Sequence, residues 1–214
     1  MLKYRTFSID KRSRLLHYSL SDFKKNQSIF IHIPKNAGNS VFNLVYGRQG
    51  NAHITIKEYM SVMTKKDFNN YFKFAIVRNP YSRLESAYFY LKSGGRKTPL
   101  DLIYQKKIKE FQTFEIFVCN FFKDDEYLNI HHFIPQYHWI IDAKGNLPLD
   151  YIGRFENIDK FYNTIINKFQ IRNTLELYNK TSEKKDIIYS KEMRRIINKV
   201  YLRDFDLLNY KMVT

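Results

Sequence analysis

Apolar residues gather first in a short unbroken run and then at helical spacing, and this change of period occurs twice before residue 92. Ile29, Phe30, Ile31 and Ile33 form a largely β-branched run suited to a central parallel strand with both faces covered. Pro34 ends it, and Val41, Leu44 and Val45 recur at helical spacing after Gly38, which predicts strand, turn and helix in succession. Phe74 to Val77 repeats the pattern, with Asn79-Pro80 as the turn, since Pro suits a first helical position. Between the two, Gly47, Gly50 and Asn51 predict a turn, and the alternating ITI after His53 predicts a short extended segment. Three amphipathic helices follow: Phe111, Phe114, Phe117, Val118 and Phe121; Ile158, Phe161, Ile165 and Phe169; and Met193, Ile196, Ile197, Val200 and Tyr201. Residues 1–28 carry mixed charge and a weak pattern, with a helix expected over Leu15 to Phe23, and are read as a peripheral segment. The whole predicts a single α/β domain over 29–214, with a central, mainly parallel sheet flanked by helices.

Composition narrows the class without naming a function. A chain of 214 residues suits one well-buried domain, and 17% aromatic with 44% hydrophobic content excludes a disordered one. The one cysteine, Cys119, lies in an apolar helical pattern and reads as a structural thiol, which excludes a disulfide framework. The N-terminal stretch is charged throughout, so neither a signal peptide nor a membrane anchor is expected, and no stretch approaches the ~20 apolar residues of a membrane span. A soluble cytoplasmic protein is the expectation. The net charge of +15 calls for anionic partners, a condition met by nucleic acid, an anionic cofactor, an acidic glycan or a membrane surface.

The two turns carry the candidate chemistry. N–H groups left unpaired at the start of the first helix, with Lys35, Asn39 and Ser40, would surround a phosphate or sulfate. The order is not that of a Walker loop, in which Lys directly follows Gly; here Lys35 precedes Gly38. At the second turn Arg78 stands at the carboxyl end of its strand, where open α/β sheets bind ligands, and Arg83, Ser86 and Tyr90 follow on one helical face. Arg78 and Ser86 together make a good phosphate clamp, a bidentate fork beside a short hydroxyl donor.

The loop P-K-x-A-G-x-S resembles the 5′-phosphosulfate loop of sulfotransferases, and V-R-N-P-Y-x-R-L-x-S-A-Y resembles their 3′-phosphate motif. The type is that of carbohydrate enzymes related to heparan sulfate 2-O-sulfotransferase and similar bacterial proteins. The resemblance implies a P-loop-like nucleotide-binding fold and 3′-phosphoadenosine-5′-phosphosulfate (PAPS) as co-substrate, with no metal. Lys35, Asn36, Ala37, Gly38, Asn39 and Ser40 would hold the phosphosulfate, and Arg78 and Ser86 the 3′-phosphate. HIT at His53 to Thr55 matches a segment whose His is the general base, so His53 and Lys35 become the catalytic candidates, a role that suits imidazole near neutral pH. HHFIPQ at His131 to Gln136, IGRFEN at Ile152 to Asn157 and the tail YLRDFDLLNY extend the likeness over roughly residues 29–210, and offer His132, Gln136 and Arg154 as acceptor contacts.

The chain departs from the family at Asn36 and Asn39, where the loop usually reads K-T-A-G-T-S, and near Asn179, where LYNKT lacks the His of an H-x-N. An Asn amide can still donate, with altered geometry. His131, His132 and His138 lack the carboxylate or cysteine spacing of a metal site, and Gly94 to Thr98 is a basic loop that would be solvated or close over a ligand. The implied acceptor is hydroxylated, most naturally a glycan: a surface polysaccharide, oligosaccharide or glycolipid precursor. The rival class is a basic nucleic-acid-binding protein, with Tyr and Phe for stacking; the aromatics fall at core-like spacing and no nucleic-acid motif is present, so no nucleic acid is expected.

Overall fold

The computed structural model describes residues 20–48, 50, 53–172 and 187–213. The turn residue Asn51, Asn179 with its neighbours, and positions 15–19 of the expected N-terminal helix lie outside the described residues. The contacts divide the chain into two compact units, one built from residues up to Arg78 and from Gln136–Lys180, the other from Asn79–Pro135 and the C-terminal residues from Thr181.

The first unit holds a three-stranded, wholly parallel sheet in the order β1 (Ser28–Ile31), β2 (Phe72–Val77) and β3 (Tyr151–Arg154). All four β1 residues and five of the six in β2 are buried, as continuous apolar runs in a parallel sheet should be. Flanking it are a helix over 20–26 and the helices Gly38–Tyr46, Ile56–Val62, Lys65–Asn70, Tyr137–Ile140 and Ile158–Phe169. Gly153 is where the last of these presses closest on β3: a Cβ there would lie 2.0 Å from Cδ2 of Phe161. Lys73 and Asp150 join β2 to the start of β3, the carboxylate accepting from the Lys73 amide at 2.7 Å and meeting its ammonium at 3.0 Å.

His53 does not open a strand. Residues 53–55 are irregular and lead into the Ile56–Val62 helix. Thr55 and Glu58 form a capping box, in which the Thr55 side chain accepts from the Glu58 amide and the Glu58 carboxylate accepts from the Thr55 amide. That T-x-x-E spacing is a helix-start signal, and it overrides the apparent alternation of ITI.

The second unit is helical, with Pro80–Lys92, Pro99–Lys109, Phe114–Phe121, Lys191–Val200 and Leu202–Leu207. The aromatic stripe is core: Phe114, Phe117 and Phe121 pack with Tyr88, Phe133, Tyr201 and Phe205. Cys119 is a half-buried thiol against this cluster. Arg83 is fully buried, and burial lowers its pKa against the opposing influence of Tyr201 and Asp204, so it belongs to this interior. The Gly94 to Thr98 loop is an ordered turn. Gly94 and Gly95 donate to the Leu91 and Tyr90 carbonyls, and the Arg96 amide to the Asp101 carboxylate at 3.0 Å.

Candidate active site

The carboxyl ends of the three strands lead directly into the loop 34–40, Arg78 and Phe155, and Val77 pairs with Arg154 in the register. The loop reverses hand twice: Lys35 has φ 71 and Ala37 φ 57, both left-handed in residues that carry a Cβ. Such conformations cost of order 1 kcal/mol each and persist where a function or dense packing holds them. Among the described residues, the N–H groups of Ala37 and Gly38 have no hydrogen-bond acceptor, while Ser40 and Val41 donate to the Ala37 carbonyl at 3.1 and 3.2 Å. Two successive unpaired amides in a chain of alternating hand form a concavity for an anion, placed at a helix start whose dipole also favours negative charge. Gly38 is required by close approach: a Cβ there would lie 1.9 Å from Cδ2 of His32. Ser40 shares a side-chain hydrogen bond with Tyr162, whose phenol is pushed up chiefly by burial.

Asn36 turns inward. It is fully buried, and its amide nitrogen donates to the Ile76 carbonyl at 2.9 Å and to Gln136 Oε1 at 2.8 Å. Its side chain therefore ties the loop to β2, which leaves the backbone of the loop to meet an anion. Gln136, expected at the acceptor, is also fully buried: its Oε1 accepts from the Arg78 amide at 2.9 Å and its Nε2 donates to the Arg78 carbonyl at 2.8 Å. The backbone of Arg78 is clipped on both sides. Its guanidinium lies 4.1 Å above the Phe155 ring and donates to the Lys35 carbonyl at 3.3 Å, so the cation is oriented before any ligand arrives.

His53 is half-buried, and its Nδ1 lies 2.8 Å from the His32 carbonyl. A carbonyl only accepts, so Nδ1 carries the proton and the lone pair of the neutral ring falls on Nε2. The His32 ring stands 4.3 Å away and Trp139 meets the His53 ring edge-on at 6.0 Å. That is the tautomer and the confinement a general base needs.

The family model of the sulfotransferases matches residues 18–211. This chain belongs to the sulfotransferase family. The match is to family 2 and takes in both anion motifs, His53 and the C-terminal helices. No curated protein and no solved structure matches the chain. As a sulfotransferase it is an enzyme of sulfuryl transfer, the family in general uses PAPS as sulfate donor, and the acceptor is a hydroxyl compound. The nucleic-acid reading has no support. No helix among the described residues is long and apolar enough to cross a membrane.

The remaining candidates belong to the sulfotransferase's two units severally. Ser86, on the Pro80–Lys92 helix of the second unit, is half-buried, and its hydroxyl makes no hydrogen bond to a described residue. His132 is buried in the same unit beside Tyr90 and His131, with ring centroids 5.1 and 4.0 Å away. Arg154, half-buried, ends β3 in the first unit. What pattern reading missed is the inward clip of Asn36 and Gln136, which lie 100 positions apart.

Proposed function

We propose that this sulfotransferase takes the sulfuryl group of PAPS and passes it to a hydroxyl of a carbohydrate in one in-line displacement, with His53 as general base. The observation that carries the reading is the pair of unpaired amides at Ala37 and Gly38, in a loop whose Lys35 and Ala37 are both left-handed. Such a cradle fits the 5′-phosphosulfate, and the oriented Arg78, with Ser86 supplied by the motif, would take the 3′-phosphate. ATP has no 3′-phosphate and would be discriminated against there.

In the step, the acceptor oxygen forms a bond to sulfur as the bond from sulfur to the bridging phosphate oxygen breaks. The acceptor proton goes to Nε2 of His53, and adenosine 3′,5′-bisphosphate leaves with the electron pair. Lys35 and the loop amides stabilise the charge that grows on the bridging oxygen, as preorganised donors do in phosphoryl transfer. His132 and Arg154 are kept as acceptor contacts from the motif, and a glycan precursor met in the cytoplasm is the proposed acceptor. Gln136 serves by holding Arg78.

The test is transfer of labelled sulfate from PAPS to a panel of oligosaccharides and glycolipids. His53→Ala should lower kcat about 10²-fold or more while adenosine 3′,5′-bisphosphate affinity stays within a few-fold of wild type. Equal loss of nucleotide affinity would make His53 structural instead.

A further inference from the structure

We infer that His32, which the proposed reaction does not use, is a positioning residue that sets the anion loop and the His53 base from one place; this rests on the reading of the loop as donor site and of His53 as base. His32 is the first residue after β1 and is 6% exposed. The edge of its ring is the floor of the loop: a Cβ on Gly38 would stand 1.9 Å from Cδ2 and 2.2 Å from Nε2. The backbone that carries the unpaired Ala37 and Gly38 amides therefore sits as close to the imidazole as glycine allows. On another side the same ring stands 4.3 Å from His53, with 56° between the planes, and it stacks on Phe30 at 5.9 Å. The backbone carbonyl of His32 accepts the His53 Nδ1 proton. Ring and carbonyl of one residue thus define the height of the anion loop and the tautomer and tilt of the base. Densely packed contacts of this kind couple, because neither neighbour can shift without the shared ring shifting too.

The geometry makes an unusual demand on mutants. Gly38→Ala should be damaging because its methyl group runs into the His32 ring, so removing that ring should partly restore it. The experiment titrates wild type, His32→Ala, Gly38→Ala and the double variant with adenosine 3′,5′-bisphosphate by calorimetry, with thermal melts to establish that each is folded. It also reads the ring nitrogens of His53 by NMR in histidine-labelled protein. Gly38→Ala is expected to weaken binding about tenfold or more, and the double variant to bind more tightly than Gly38→Ala alone, a non-additive result. In His32→Ala the backbone carbonyl is retained, so the Nδ1–H pattern of His53 should persist, but the His53 ring loses the packing that fixes its tilt and its Nδ1–H is expected to exchange with solvent faster than in wild type. His32→Asn serves in the same scheme if His32→Ala does not fold. A double variant as weak as Gly38→Ala or weaker, or His53 Nδ1–H exchange unchanged by loss of the His32 ring, would overturn the inference while leaving the donor-site reading intact. Wild-type protein that does not bind the bisphosphate would remove that reading, and the inference with it.

Discussion

Replacing Gln136 by Ala should unfold the site from within. The substitution removes three hydrogen bonds at once, part-buried ones from the Arg78 amide and to the Arg78 carbonyl and a buried one from the Asn36 amide. Asn36 keeps its bond to the Ile76 carbonyl, so the main cost falls on the two backbone groups of Arg78. A buried polar group left unpaired costs about 1–3 kcal/mol, which sums to about 2–6 kcal/mol, with the lower half expected as water reaches the vacated space. At about 2–4 °C per kcal/mol for a chain of this size, the melting temperature should fall by roughly 5–15 °C. Gln136→Glu is the sharper control. It keeps an oxygen in place of Oε1 but sets another against the Arg78 carbonyl, where an N–H is needed, so it should not rescue. Thermal melts of the two variants without ligand make the measurement, and a Gln136→Ala protein melting within about 1 °C of wild type would refute the clip.

Lys35→Ala should abolish most transfer while leaving the melting temperature close to wild type, because the residue is half-buried at the loop and outside the sheet; near wild-type turnover in the labelled-sulfate assay would contradict its role. Thr55→Ala removes the cap that fixes the chain just past His53 and should cost about 1 kcal/mol in thermal stability, an unchanged melt arguing against the capping box. Asp150 supplies a pH dependence: burial acts to raise its pKa, but hydrogen bonds from the Lys73 amide and ammonium, with the charges of Lys73 and Lys168, outweigh that and hold it below the usual carboxylate range. A depressed folded pKa adds stability above the unfolded value of about 4 and loses it as pH falls through the folded value, so the melting gap between wild type and Asp150→Asn should close on acidification. A gap independent of pH would assign it to packing.

The strands were legible where burial wrote them as apolar runs: Ile29 to Ile33 against β1, and FAIV within β2. β3 leaves no such signal, being four residues with Gly153 in the middle, and the likeness of IGRFEN to a family segment does not identify it as a strand. Anion chemistry at Lys35–Ser40 was legible because unpaired amides follow from any helix start after a tight turn. Gly38 could be assigned to a positive φ or to a close approach, and only the His32 ring decides for the second. Asn36 and Gln136 read as ligand contacts because they fall at positions that match the family's loop and H-x-x-P-Q segments. Their hydrogen bonds to each other, to Ile76 and to Arg78 are set by strand adjacency, which local pattern does not encode.

The central claim is a donor site that recognises a 3′-phosphate, and the most direct measurement is a calorimetric titration of wild type and Arg78→Ala with adenosine 3′,5′-bisphosphate, using AMP and ATP as controls. Tight binding that needs the 3′-phosphate and weakens in Arg78→Ala is the predicted result. A folded wild-type protein that gives no heat, or that binds AMP as tightly as the bisphosphate, would contradict it.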